Sequence, residues 1–250
     1  MAGASKRFKD EGYSDPKYML PIGQNTLFDL SLLSFLDYFQ SAQFLFIGLK
    51  NANNSGHFVK NRVSKLGIKL WHYIELPTPT KGQAETVKQG LDAFSVIENE
   101  PLLIFNIDTI RTRLNIQIPT DAAAWLEVFK AKGDHWSFAE VSQEEPNLVV
   151  RTSEKVRISN LCSTGLYYFK SCKLFKQLVE SGSQNNCTGE SYIAPLFNML
   201  IKNNDKVYCQ EVSSQDVILA GTPKEYESLI KSKIWEDRKF EFGTRKQFLT

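Results

Sequence analysis

Leu102-Leu103-Ile104-Phe105-Asn106-Ile107-Asp108-Thr109 (102–109, LLIFNIDT) is an oily run closed by a carboxylate. Its first six residues, Leu102–Ile107, read as a strand buried on both faces. A carboxylate at the end of such a strand is held rigidly, and as a hard oxygen ligand it suits Mg²⁺. Asp108 equally reads as a simple cap on the next turn, although the apolarity of the strand favours the metal role. Upstream, Gln43–Leu49 (QFLFIGL) and Leu70–Leu76 read as two more strands. Leu27, Leu30, Phe35 and Phe39 lie near helical spacing, and Val87, Leu91 and Phe94 follow an i, i+4, i+7 rhythm. This alternation predicts an α/β fold with a mostly parallel, Rossmann-like sheet covered by helices.

The pattern changes downstream. Ala124–Phe129, Trp136–Val141, Leu148–Arg151 and Gly165–Lys170 are closely spaced strand patterns and predict an antiparallel or mixed extension. Helical stretches follow at Ser171–Glu180 and Tyr192–Asn203, with short strands at Tyr208–Val212 and Val217–Leu219. Thr222 and Pro223 suit the cap and first turn of a last helix. The 250 residues are read as one domain, with 235–250 as an unassigned tail.

Composition narrows the partners. A net charge of +2 argues against nucleic acid and against an anionic membrane surface, so any anion site must be local. The longest apolar runs fall far short of the ~20 residues that span a bilayer. The start, Met1-Ala2-Gly3-Ala4-Ser5-Lys6-Arg7-Phe8, lacks the apolar stretch of a signal peptide. Cys162, Cys172, Cys187 and Cys209 make no C-x-x-C pair, and His57, His72 and His135 make no zinc spacing. Reduced thiols in a cytoplasm are the simplest expectation.

Three further segments carry potential chemistry. In Ala2-Gly3-Ala4-Ser5-Lys6-Arg7, small residues let backbone N–H groups approach phosphate oxygens, and Arg7 and the downstream Lys17 would neutralise a triphosphate. The same residues read about as well as a solvated basic arm. In Pro77-Thr78-Pro79-Thr80-Lys81-Gly82-Gln83, the Gln83 amide is able to read a base edge and Gly82 to let the base lie close; a stiff loop with a helix cap is the simpler alternative. In Glu154-Lys155 and Thr164-Gly165, Glu154 would accept from hydroxyl or amine groups, Lys155 would hold a monophosphate, and Thr164-Gly165 would bring backbone close to that ligand. Taken alone, Glu154-Lys155 is an ordinary exposed pair worth ~0–1 kcal/mol.

In order along the chain, these segments resemble the nucleotidyltransferase family that makes nucleoside-diphosphate sugars and related activated head groups. Ala2-Gly3-Ala4-Ser5-Lys6-Arg7 with Pro16-Lys17 matches its opening loop, and Gly82-Gln83-Ala84 its base-reading loop. Asn106-Ile107-Asp108, Glu154-Lys155, Thr164-Gly165-Leu166-Tyr167-Tyr168-Phe169 and Gly221-Thr222-Pro223-Lys224-Glu225-Tyr226 match four later motifs. Three departures stand out: the chain begins inside the loop, Ser5 replaces a glycine, and Leu219 stands where a second metal aspartate is common.

The resemblance implies an NTP substrate, CTP favoured, a small phosphorylated acceptor, Mg²⁺ on Asp108 with Asp216 as the substitute second ligand, and release of pyrophosphate. Arg7 and Lys17 would be the catalytic cations. Residues 1–110 would be mainly nucleotide-binding and 111–234 mainly acceptor-binding. Similarity of the Lys17-Tyr18-Met19-Leu20 run to capsule and lipopolysaccharide members implies a role in bacterial surface polysaccharide synthesis. The alternatives are a nucleotide-sugar-dependent glycosyltransferase, against which Asn106-Ile107-Asp108 is a weak D-x-D match, and an inactive nucleotide-binding homologue.

Overall fold

The apolar runs Gln43–Leu49 and Leu70–Leu76 pair in parallel over their full length, Gln43 opposite Leu70 and Leu49 opposite Leu76. The structure is a computed structural model that describes residues 1–3, 5–50, 53–94, 98–185 and 189–232. Ala4 and the tail from residue 233 lie outside the described residues.

The elements, in chain order, are α1 (Lys6–Asp10), β1 (Pro21–Ile22), β2 (Asn25–Thr26), α2 (Leu27–Leu33), β3 (Gln43–Leu49), α3 (Ser55–Leu66) and β4 (Leu70–Leu76). There follow α4 (Gln83–Phe94), β5 (Leu102–Ile104), β6 (Thr109–Arg111), β7 (Ala124–Lys130), β8 (Ser137–Val141), β9 (Val149–Glu154) and β10 (Leu161–Phe169). The chain closes with α5 (Cys172–Asn185), α6 (Ala194–Lys202), β11 (Val207–Glu211), β12 (Val217–Leu219) and α7 (Pro223–Ser232). The class is α/β, as the alternation predicts. Parallel pairing among the described strands is confined to β3–β4 and β7–β11.

Two compact units are built from interleaved stretches of chain. Of the described residues, those within 1–79, 107–115 and 216–232 form the first and those within 80–106 and 116–215 the second. The chain therefore passes between units four times, where the sequence suggests one division after residue 110. The cause is strand pairing: β6 pairs with β12 from the far end of the chain, and β5 with β10.

In the first unit, Leu27, Phe28 and Leu30 of α2 and Val59 and Val63 of α3 are buried. The Phe28 ring meets Phe46 at 5.4 Å and Phe58 at 5.5 Å. Thr26 caps α2 with a reciprocal capping box through Asp29. The fully buried Asp29 carboxylate accepts from Thr26 N at 2.6 Å, Thr26 Oγ1 at 2.8 Å and Arg62 Nε at 2.8 Å, and pairs with Arg62 Nη2. Removing Arg62 strands a buried charge that keeps two weaker donors. Arg62→Ala is expected to cost ~2–3 kcal/mol, read as a lower urea midpoint at unchanged slope; a loss under ~0.5 kcal/mol would assign the pair to the indifferent surface class.

In the second unit the sheet runs β11-β7-β10-β8-β9, with β5 on β10. Trp125, Leu126 and Val128 of β7 are buried, and Phe169 packs on Phe175 at 5.0 Å and on Phe197 at 5.2 Å. The expected strand Leu102–Ile107 stops at Ile104, its last partner on β10 being Tyr167. Beyond it, β10 carries a register shift between Ser163 and Tyr167, and Gly165 turns to φ +87° with the Asn106 amide packed against it. The ladder ends at that bulge. Asp108 consequently does not close the strand but stands immediately before β6. No helix among the described residues is long and apolar enough to cross a membrane.

Candidate functional site

The first unit gathers the residues read as triphosphate-side. Ser5, Lys6, Arg7, Phe8, Lys17 and Gly221 line one cleft of about 240 Å³. The expected open loop tightens into α1 directly after Ser5. Ser5 adopts φ +49°, the left-handed region that a glycine enters at no steric cost, so serine here takes the strained conformation itself. Its Oγ accepts from the Lys17 backbone N–H at 3.3 Å. A ring cluster anchors α1, with Phe8 and Tyr226 buried: Phe8 meets Tyr13 at 5.4 Å and Tyr226 at 6.1 Å, and Tyr13 meets Tyr226 at 5.9 Å. A side chain on Gly3 would meet open space, so no protein contact there demands glycine.

Lys17 Nζ donates to Asp108 Oδ2 at 2.5 Å, and each side chain keeps about a quarter of its exposure (24% and 21%). Gly221, which the sequence marks only as the first residue of the Gly-Thr-Pro motif, also belongs to this site, because a Cβ there would sit 2.9 Å from Asp108 Oδ2. The capping box of α7 holds this turn, Thr222 N donating to Glu225 Oε2 at 2.9 Å and Glu225 N to Thr222 Oγ1 at 3.3 Å.

Asp216 does not join Asp108. The β6–β12 ladder sets Val217 opposite Arg111 and Leu219 opposite Thr109, and Ala220 N donates to Asp108 O at 2.9 Å. Asp216 thus falls beside Thr112, whose hydroxyl donates to Asp216 Oδ1 at 3.1 Å. About four residues of strand, ~13 Å, separate the two carboxylates. Contrary to expectation, then, Asp216 is not a ligand to a metal on Asp108. Among the described residues no group of three His, Cys, Asp or Glu side chains is placed to hold a metal. Asp108 alone fits an ion such as Mg²⁺ that takes one carboxylate and fills its shell with phosphate oxygens and water.

The second unit holds the base-side and acceptor-side residues. Gln83 Nε2 donates to Asn106 Oδ1 at 2.7 Å, which fixes the side-chain amide and leaves its oxygen available. Gly82 is required by its neighbours in the fold: a Cβ would lie 2.5 Å from Ser191 O and 2.7 Å from Ser191 N. Asn106 carries no signal of its own in the sequence beyond preceding Asp108 by two residues, yet it touches both Gln83 and Gly165.

Glu154 ends β9 and accepts a hydrogen bond from Ser137 Oγ. Burial pushes its carboxyl up, with the Ser137 bond and the Lys155 charge opposing and Glu190 adding to the rise. Lys155 takes φ +58°, and its backbone N–H donates to Trp136 O at 2.9 Å. Its ammonium donates to Tyr192 OH, and Glu190 Oε2 lies 3.6 Å away. Thr164 departs from the expected role. Its side chain is buried and its hydroxyl donates to the buried Glu127 Oε2 at 2.8 Å, so it serves the sheet interior and not a ligand. Gly165 keeps a role, because only a residue without Cβ tolerates the Asn106 amide against it at positive φ.

No protein-family model and no curated protein matches the chain. Solved structures do. The nucleoside-diphosphate-sugar pyrophosphorylase from Vibrio cholerae RC9 is 39% identical, with TM-score 0.85, over 92% of this chain and 98% of that one. A Bacillus anthracis protein assigned as a glucose-1-phosphate thymidylyltransferase superposes with TM-score 0.75 at 16% identity, over 99% of this chain and 96% of that one. The inositol-1-phosphate CTP transferase from T. maritima does so with TM-score 0.70 at 15% identity, over 98% and 95%. The last two share the fold. The first shares fold and sequence over nearly the whole of both chains, and on that ground the chain belongs to the nucleoside-diphosphate-sugar pyrophosphorylase family of sugar-phosphate nucleotidyltransferases.

Proposed function

We propose that this chain transfers a nucleotidyl group from an NTP, CTP favoured, to the phosphate of a small phosphorylated metabolite and releases pyrophosphate. The observation that carries the reading is the meeting of Lys17 and Asp108 in a chain whose Ser5, Arg7 and Lys17 line one cationic cleft. An oxygen of the acceptor phosphate would attack the α-phosphorus in line. The bond from the α-phosphorus to the bridging oxygen would break, and its electrons would leave with pyrophosphate. A phosphate monoester, with a second pKa of about 6, is already largely ionised at neutral pH. No general base is needed, and the protein contributes positioning and charge stabilisation.

Arg7 and the backbone of the Ser5 turn would hold the outer phosphates, and Lys17 would meet charge growing on the α-phosphate. Gln83 would hold the base through its free oxygen. Glu154 would accept from a hydroxyl or amine of the acceptor, and Lys155 would hold its phosphate. Mg²⁺, held by Asp108, would offset charge on the phosphate oxygens when bound. The acceptor class spans sugar phosphates and phosphorylated amino acids, choline or polyols. A cytoplasmic step in bacterial surface polysaccharide synthesis fits the Lys17–Leu20 resemblance.

The test is a matrix of NTPs against acceptor phosphates with Mg²⁺ and a pyrophosphate readout. CTP with one acceptor is expected to release pyrophosphate faster than UTP, dTTP, ATP or GTP. Stabilisation by an NTP with no release for any acceptor would favour an inactive nucleotide-binding protein, a reading that Ser5 and Leu219 motivate.

A further inference from the structure

Lys155 has a long stem with many rotamers, and a lysine of this kind loses side-chain entropy when it is fixed. Here it is fixed from three sides. Its backbone sits in the left-handed region, tied to Trp136 O. Its ammonium lies 4.6 Å from the centre of the Tyr192 ring and donates to the hydroxyl of that residue. The Tyr192 hydroxyl in turn donates to Glu190 Oε2, which also faces the ammonium at 3.6 Å.

The segment that carries Glu190 and Tyr192 is itself clamped. Between them, Ser191 N donates to Lys81 O at 3.0 Å and Ser191 O accepts from Ala84 N at 3.0 Å. Gly82 makes that approach possible, since any Cβ would strike the Ser191 backbone. On the other side Ile193 is buried. Lys155 and Glu190 are each more than half exposed (54% and 55%), so the ion pair contributes little stability. Three well-aimed contacts on one exposed ammonium make sense as placement.

We propose that Tyr192 is a positioning residue: through its ring, its hydroxyl and Glu190 it holds the Lys155 ammonium where an acceptor phosphate is to bind, and the Ser191 clamp on the Lys81–Ala84 loop holds Tyr192 in turn. The inference rests on the reading of Lys155 as the acceptor-phosphate group. The Tyr192 hydroxyl first, with partial burial opposing and Glu190 and Glu154 adding to the rise, also raises the Lys155 pKa.

Tyr192→Phe keeps the ring and removes the hydroxyl. Acceptor KM is expected to rise about three- to tenfold, the loss of one partly exposed hydrogen bond to a charge, while KM for the NTP stays at the wild-type value. In a Lys155→Ala background the same substitution is expected to add nothing. A Tyr192→Phe effect that persists without Lys155, or an unchanged acceptor KM, overturns the inference.

A second measurement needs no turnover. The rate at which acetic anhydride acetylates Lys155 at about pH 8, scored by peptide mass against other lysines, is expected to rise about two- to fivefold in Tyr192→Phe as the ammonium loses its hydrogen bond. An unchanged rate overturns the inference. Wild-type protein that releases no pyrophosphate with any NTP and acceptor sinks the proposed function instead, and the acetylation rate still decides whether Tyr192 holds Lys155.

Discussion

Asp108→Asn is expected to lower Mg²⁺-dependent pyrophosphate release by about 10³ or more, a loss of the order seen when the main charge-stabilising group of a transferase site is removed. The substitution keeps size and shape, so the space that Gly221 leaves beside the side chain stays filled. What it removes is the negative charge. Lys17 then faces a neutral amide, and a divalent ion loses the Asp108 carboxylate as a ligand. Folding should barely notice, because both side chains remain about a quarter exposed and such a pair contributes about 1 kcal/mol or less. The check pairs turnover across a Mg²⁺ titration with the urea midpoint. Activity within a few-fold of wild type at matched stability would take Asp108 out of the metal role and the proposed chemistry with it.

Much of the architecture is legible in the sequence because buried strands advertise themselves. QFLFIGL and Leu70–Leu76 occupy the residues expected, since apolar runs of this kind have little else to do. The last helix likewise starts at Pro223 under a Thr222 cap, a purely local signal. Elements that depend on distant partners are harder. Leu102–Ile107 looks like one strand, and only the bulge at Gly165, far along the chain, ends it at Ile104. α3 shows no clear pattern because Val59 and Val63 are its buried apolar residues amid His57, Lys60, Asn61 and Arg62.

The same distinction runs through the site. Lys17 and Asp108 are 91 residues apart and meet, as the shared motif order implies. Asp216 fails on register, which no local pattern encodes. Thr164 and Gly165 are neighbours in one motif yet serve differently, because the strand bulges there: the threonine hydroxyl bonds the buried Glu127 and the glycine, at positive φ, accommodates Asn106. Gly82 does stand where only glycine fits, but the neighbour that requires it is Ser191, a residue with no sequence signature.

Lys17→Ala is expected to lower kcat by about 10²–10³, the usual consequence of losing one donor aimed at charge that develops in the transition state. The surroundings of Lys17 sharpen what else should happen. In the absence of ligand its ammonium is held on Asp108, and its backbone is held on Ser5, so alanine removes the charge without freeing the turn. KM for the NTP should therefore move far less than kcat, the pattern of an interaction made in the transition state and not in ground-state binding. Lys17→Arg should rescue only partly, since a planar fork cannot reproduce a point charge at one position. Because Lys17 and Asp108 touch, their losses should also be strongly non-additive: the double variant Lys17→Ala, Asp108→Asn should be scarcely slower than Asp108→Asn alone, since each residue's effect requires the other to be in place. Fully multiplicative losses would mean that the two act at separate points of the reaction and that their contact is incidental. A Lys17→Ala enzyme within a few-fold of wild type would mean that the cation meeting the α-phosphate is some other residue of the cleft, with Arg7 and Lys6 next to be replaced.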